Sequence, residues 1–176
     1  MKNIELIKVT AGKTFKIGDM EFIKFSDENG ITTAVSKDVL FHSRFGDDNN
    51  LANSDVLKKL EEEIVPKIAD EIGMENICDI TTDLTTLDGL KPYEPLTSKV
   101  SLPTLDFYRE NVEIFDKYKV NNWWWLATPE SAQPHSNPYW TVCVSPSGFI
   151  FNHCYYNFGV RPFWNFVSSI FVSCEE

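Results

Sequence analysis

The hydrophobic residues of this chain change their spacing twice, and that double change limits the fold more than any single motif does. Up to about residue 45, apolar and polar residues alternate, as in "IELIKV" and "KTFKIGDMEFIKF", which is the period of a strand with one face turned inward. Gly18-Asp19 sits where a two-residue hairpin turn belongs, "DENG" (Asp27 to Gly30) is a second turn, and "ITTAVSKDVL" leaves it as a third strand. From Ser54 the period becomes helical, with Leu57, Leu60, Ile64, Ile68 and Ile72 on one face of a helix over about 54–73. Ser54 suits its N-cap and Gly73 its exit, while Pro66 should kink or split it. A second helix is expected over about 104–116, with Thr104 as its cap and Leu105, Tyr108, Val112 and Phe115 on its apolar face. The segment between the helices, "TTDLTTLDGLKPYEPLTSK", reads as a long loop.

After Val120 the strand period returns and holds through 121–174. "YWTVCVSPSGFIFNHCYY" contains two alternating runs joined by Ser145-Pro146-Ser147-Gly148, a hairpin. On its first run Trp140, Val142 and Val144 share one face, and Tyr139, Thr141 and Cys143 share the other. Strands, then helices, then strands again make the class α+β, and 176 residues suit one domain over 1–176.

Charge and motif content exclude several functions. A formal charge of −10 with no Lys/Arg cluster leaves no footprint for phosphate neutralisation, so no nucleic-acid partner is expected. The N-terminus lacks the apolar core of a secretory signal, and no apolar run could span a membrane. No GxSxG elbow surrounds any serine, and His42, His135 and His153 read as surface or pocket residues rather than general bases. The glycines form no phosphate-cradling loop, "DENG" and "GDDNN" lack the spacing of a calcium loop, and no cofactor is implied. Cys78, Cys143, Cys154 and Cys174 read as reduced thiols, with a Cys143–Cys154 bridge across the hairpin as the alternative.

Two features remain. The run Trp123-Trp124-Trp125 cannot aim three rings at one ligand if it is a strand. Trp123 and Trp125 are therefore assigned to the core, with Trp124 opposed to them. Between Trp123 and Phe166 the chain is dense in Trp, Tyr, Phe, His, Asn and Ser, residues that give large amphipathic contact area at low entropic cost.

"WWWLATP", "VSPSG" and "GVRPF", in that order, resemble the C-terminal signature of a family of domains found in prophages and genomes of Firmicutes. "GDMEFIKF", "NSDVLKKLEEEIVPKI" and "KVSLPTLDFYRE" resemble its upstream segments, so the likeness covers nearly the whole chain. That family looks like a branch of the C-type lectin fold, which includes formylglycine-generating enzymes and the variable proteins of diversity-generating retroelements. The resemblance implies a C-type lectin-like domain: a mixed antiparallel sheet, two flanking helices, long loops and a ligand surface on the C-terminal strands. The diversified stretch of the retroelement targets corresponds to Tyr139, Thr141, Phe149, Phe151, Asn152, His153, Tyr155 and Asn157, which become the candidate ligand-binding residues. Calcium-dependent lectins place carboxylates where this chain has Gln133-Pro134-His135 and Trp164-Asn165-Phe166, so no metal site is expected.

Gly159, Arg161 and Pro162 fall in the scaffold part of the likeness. Arg161 has two possible roles: clamping an anion with its planar fork, or bridging internally to a carboxylate or to loop carbonyls. Its place in the scaffold favours the second. The expected function is non-catalytic binding of a protein or small-molecule partner by the hairpin. The setting would be a virion or the cytoplasm of a phage's host, where a host defence protein is one candidate partner. A thiol-based or hydrolytic enzyme, working through a cysteine or through His153 or His135, is the competing class.

Overall fold

The computed structural model describes residues 2–174, and the side chains of residues 2, 149 and 150 lie outside that description. Strand β1 (Lys2–Glu5) is followed by β2 (Thr14–Ile17), β3 (Met20–Glu28), β4 (Ile31–Ser36) and the short β5 (Phe41–Ser43). β2, β3 and β4 form an antiparallel meander. Its second corner is tighter than the "DENG" reading: β3 persists to Glu28, and Asn29 and Gly30 turn the chain at φ of 52° and 78°. Left-handed conformation at both turn residues matches the twist of the flanking strands.

The first helical region comprises α1 (Asp55–Lys59), a π-helical segment (Leu60–Ile64) and α2 (Val65–Ile72). Ser54 caps it, its hydroxyl accepting the Leu57 N–H at 2.9 Å, and Gly73 leaves it at φ 85°. The chain passes Pro66 through a widened turn in which the Val65 N–H reaches back to the carbonyl of Leu60. Proline has no N–H to give the carbonyl four residues back, and its ring presses on that carbonyl. One wide turn relieves the clash.

The expected inter-helix loop contains a small two-stranded ribbon, β6 (Ile80–Thr82) with β7 (Leu96–Ser98). The second helical region is α3 (Leu105–Glu110) and α4 (Val112–Lys117), separated at Asn111. Thr104 caps it through the Phe107 N–H. The remaining strands are β8 (Trp124–Pro129), β9 (Trp140–Ser145), β10 (Gly148–His153), β11 (Phe158–Val160), β12 (Phe163–Val167) and β13 (Phe171–Cys174).

The class is α+β with largely antiparallel sheets. One sheet runs β1-β13-β2-β3-β4-β12, so the strands from the two ends of the chain pair with each other. The other runs β10-β9-β8-β11-β5, with β11 parallel to β8 through Gly159 and Trp124. No helix among the described residues is long and apolar enough to cross a membrane.

Both sheets are covered on both faces. Phe22, Ala34, Trp125, Ala127 and Cys143 enter one core with the first helical region, including its Leu57, Leu60 and Ile68. Their strand neighbours Ile23, Val35, Trp124, Leu126 and Val142 enter a second core under Leu105, Tyr108 and Phe115 of α3 and α4.

That arrangement corrects the reading of the tryptophan run. Trp124 opposes Trp125 as alternation requires, yet both are buried, because Trp124 lies against Tyr108 and Phe115 of α3 and α4 while Trp125 lies against Phe45 and Phe158. Trp123, assigned to the core, lies one residue before β8 begins and is 37% exposed, with its ring against Phe158 at 5.2 Å. A shared face does not bury a residue that stands beyond the end of the strand.

Candidate functional site

β10 is an edge strand, and its partner β9 sets Phe151 opposite Val142 and His153 opposite Trp140. The turn between them is Pro146-Ser147, held by the Ser145 hydroxyl, which accepts the Ser147 N–H at 3.1 Å and donates to the Gly148 carbonyl at 3.0 Å. At the other end of the hairpin the aromatic rings crowd together. His153 stacks on Tyr139 at 5.8 Å, meets Trp140 edge-on at 5.5 Å and touches Tyr155 at 4.4 Å. Trp140 meets Phe151 edge-on at 6.3 Å, and Tyr156 stacks on Phe158 at 5.6 Å. Tyr139, Trp140, Phe151, Tyr155 and Tyr156 are all exposed, Tyr155 to 59%.

Two open grooves flank Tyr156. One, of about 390 Å³, is lined by Trp140, His153, Tyr155 and Tyr156. The other, of about 380 Å³, includes His42, Asn122, Trp123, Asn152, Tyr156 and Asn157. Rings and neutral amides form these walls. From Ser131 to Val160 the sequence contains no Asp, Glu, Lys or Arg. Such a surface can hold a partner by stacking, apolar contact and neutral hydrogen bonds, with little contribution from charge.

The face is braced from beneath. Asn49 is buried and its side-chain amide donates to the carbonyls of Ser131 and Trp140, both at 2.8 Å, while its oxygen accepts the Tyr93 hydroxyl at 2.6 Å. The Cys154 N–H bonds the Tyr139 carbonyl, and the Cys154 carbonyl accepts the Phe45 N–H. The Tyr155 N–H donates to Nδ1 of His153 at 3.3 Å.

Of the candidate residues, Tyr139, Phe151, Tyr155 and Asn157 are exposed, and Asn152 and His153 are half-buried. The Phe149 side chain lies outside the described residues. Thr141 is corrected: it is fully buried near the start of β9, where its hydroxyl donates to the Thr128 carbonyl at 2.9 Å, so it contributes nothing to a displayed surface. Trp140, Tyr156, Trp123, Asn122 and the bracing Asn49 were not among the candidates. Alternation assigned Trp140 to the Val142 face, which is correct, but its ring lies outside the second core. The charge-free run from Ser131 to Val160 was the signal that could have marked this neighbourhood as a whole.

The grouping of Ser131, Asp88 and His135 does not have the order of a hydrolytic triad. Asp88 gathers the Ser131 hydroxyl at 2.6 Å, the His135 Nδ1 at 2.9 Å and the Thr86 hydroxyl at 2.5 Å. Ser131 and His135 both approach the same carboxylate oxygen, so the acid stands between them and the serine donates to the acid. A nucleophile needs the imidazole as its own acceptor. Those three donors, Ser131 first, hold the Asp88 carboxyl well below the usual range and keep it an ionised acceptor.

Burial pushes the Cys143 and Cys154 thiols up to about 12 and raises Cys78 and Cys174 as well, the opposite of thiolate activation. All four cysteines are free thiols. Gln133 donates to Asn137 and Asn165 accepts from Thr33, and no group of three His, Cys, Asp or Glu among the described residues could hold a metal.

The Gly-Val-Arg-Pro segment ties the two sheets together. A Cβ on Gly159 would stand 2.7 Å from a Val39 methyl and 3.1 Å from the Trp123 carbonyl, so a side chain there would force both neighbours to shift. Arg161 is 1% exposed, and its Nε and Nη2 donate to the carbonyls of Ser36 and Lys37 at 3.1 and 2.8 Å. The Pro162 carbonyl accepts the Ser36 N–H at 3.0 Å. Comparison with protein-family models, with curated proteins and with solved structures finds no match for this chain, so the neutral aromatic face at the edge of the second sheet stands on its own geometry.

Proposed function

We propose that this protein is a non-catalytic binding domain that holds a protein or small-molecule partner on the aromatic, Asn-rich face of its C-terminal hairpin. The observation that carries the reading is the contiguity of Tyr139, Trp140, Phe151, Tyr155 and Tyr156, all exposed on a braced edge strand within a stretch free of charged residues. Exposed apolar area gathered in one place marks a contact surface, whereas scattered single residues do not. Aromatic anchors set among adaptable polar groups are also the usual composition of binding hot spots. A backbone held by Asn49 and by Cys154 loses little freedom when a partner docks, which favours affinity.

We read the fold as C-type lectin-like. The pairing of the two chain ends, the helical regions on opposite faces and the hairpin at a free edge support that reading. The setting that follows from the resemblance is a phage or prophage product, which binds either at a host surface or to a host defence protein.

The test compares immobilised wild-type protein with the triple variant Phe151→Ala, His153→Ala, Tyr155→Ala for capture from a lysate of a Firmicute host. Capture should be lost while the melting transition stays in place, because all three side chains lie outside both cores. Equal capture by the variant would remove this face as the binding surface.

A further inference from the structure

A cavity lies at the opposite end of the hairpin, away from the aromatic face. It measures about 250 Å³ and opens between α4 and the Ser145–Gly148 turn, with Tyr108, Phe115 and Trp124 as its apolar walls. Arg161 lines this cavity. Its Nε and Nη2 are engaged by backbone carbonyls, which are neutral, and Nη1 has no hydrogen-bond partner among the described residues. No carboxylate of the described residues forms an ion pair with it. The guanidinium lies over the Trp124 ring at 4.8 Å and within 5.7 Å of the Phe115 ring. Burial pulls it down to about 10, which still leaves it charged at neutral pH.

A cation taken out of water is normally matched by a buried anion, and one left without a counter-charge is costly. Here Asp38 acts on the guanidinium only from beyond ion-pair range, no carboxylate among the described residues touches it, and the cavity provides room for one. We propose that the cavity binds a small organic monocarboxylate, whose carboxylate would meet Arg161 while its apolar body lies among Tyr108, Phe115 and Trp124.

The other charges on the lining refine the class. Lys119 adds a positive charge and Asp116 a negative one, so with Arg161 the lining carries a single net positive charge. That suits one negative charge and disfavours phosphates and dicarboxylates, which would face Asp116 with a second. The planar fork of arginine matches a carboxylate. At about 30 Å³ per water the cavity holds roughly eight waters, which is the scale of a single-ring acid and far short of a nucleotide. Ser145 and Ser147 place hydroxyls on the same lining.

Benzoate and phenylacetate are the probes, titrated by calorimetry and by NMR of the tryptophan indole N–H signals. The expected result is saturable binding with a dissociation constant on the order of 1 mM or tighter, a shift of the Trp124 indole, and at least tenfold weaker binding of benzamide and of inorganic phosphate. Arg161 is buried and its replacement can unfold the chain, so the decisive variants sit at the rim. Val112 lines the cavity and is exposed, so Val112→Trp should block the mouth, abolish binding and leave the melting temperature unchanged. Lys119→Glu should weaken binding several-fold at low salt. No binding of either acid, equal binding of benzamide, tighter binding of phosphate, or titration unaffected by Val112→Trp would each overturn the proposal.

Discussion

Cys143 shows how one residue's neighbours settle its chemistry. The sequence left its thiol open to pairing with Cys154 or to reactivity, and the structure buries both in the first core as free thiols. With their pKa values pushed up to about 12 by burial, they stay protonated where an ordinary thiol, near 9, would already ionise. Two consequences follow. Native protein treated with iodoacetamide near pH 8 should leave Cys143 and Cys154 unmodified, and mass spectrometry should find them alkylated only after denaturation. Because the raised groups are neutral when folded and ionised when unfolded, their contribution to stability is complete below about pH 9 and is lost as the pH rises toward 12. A cysteine reacting faster than free thiol near neutral pH would restore the enzyme reading. Thr141 and Tyr139 make the complementary point. They share a face by alternation, yet one is sealed against Thr128 and the other is exposed on the aromatic patch.

At the scale of elements, local signals were most legible where they were chemical. Ser54, Thr104 and Gly73 act as caps and stop because a hydroxyl or a missing Cβ has the same effect in any fold. The ribbon of β6 with β7 and the clasp at Asp88 were invisible, since both join residues far apart in sequence. The clasp fastens the 86–90 loop to the 131–135 segment that leads into the aromatic face. Asp88→Asn should therefore speed amide exchange at Leu87, Gly89 and Leu90 and lower the melting temperature at neutral pH. A carboxyl whose folded pKa is depressed stabilises above its unfolded value, near 3.8, and loses that effect as the pH falls toward its folded one. The difference in melting temperature between variant and wild type should thus be full at pH 7 and shrink steadily below pH 4. A difference independent of pH would mean that the carboxylate does not hold the loop.

At the scale of the whole molecule, an ion pair between a buried lysine and a partly exposed aspartate joins segments near the chain's two ends. Lys24 is buried, pairs with Asp27 and donates to the carbonyls of Leu6 and Ile7 at 2.9 and 3.3 Å. Asp27 in turn accepts the hydroxyls of Thr32 and Ser168 at 2.5 and 3.2 Å. Burial alone would raise the Asp27 carboxyl, but Lys24 and the two hydroxyls together hold it below its usual value. The pair is unequal, because Asp27 keeps some exposure while Lys24 has almost none. Asp27→Ala strands a buried ammonium and should cost about 3–5 kcal/mol. Lys24→Met leaves a carboxylate with two donors and access to water, and should cost only about 1–2 kcal/mol. Urea unfolding midpoints at constant m-value test the order, and equal losses would show that the two ions are equally desolvated.

From its spacing alone this sequence determined an α+β chain, the places of its helices and hairpin, and which residues share a face, because periodicity and capping are local properties of the backbone. Tertiary structure alone decided which shared faces are covered. It covered both sides of β8, left Trp123 and Trp140 partly bare, buried Thr141, and set Arg161 beside a cavity with no carboxylate of the described residues in ion-pair contact. Burial and neutralisation depend on what lies across the fold, and no stretch of sequence contains its own cover.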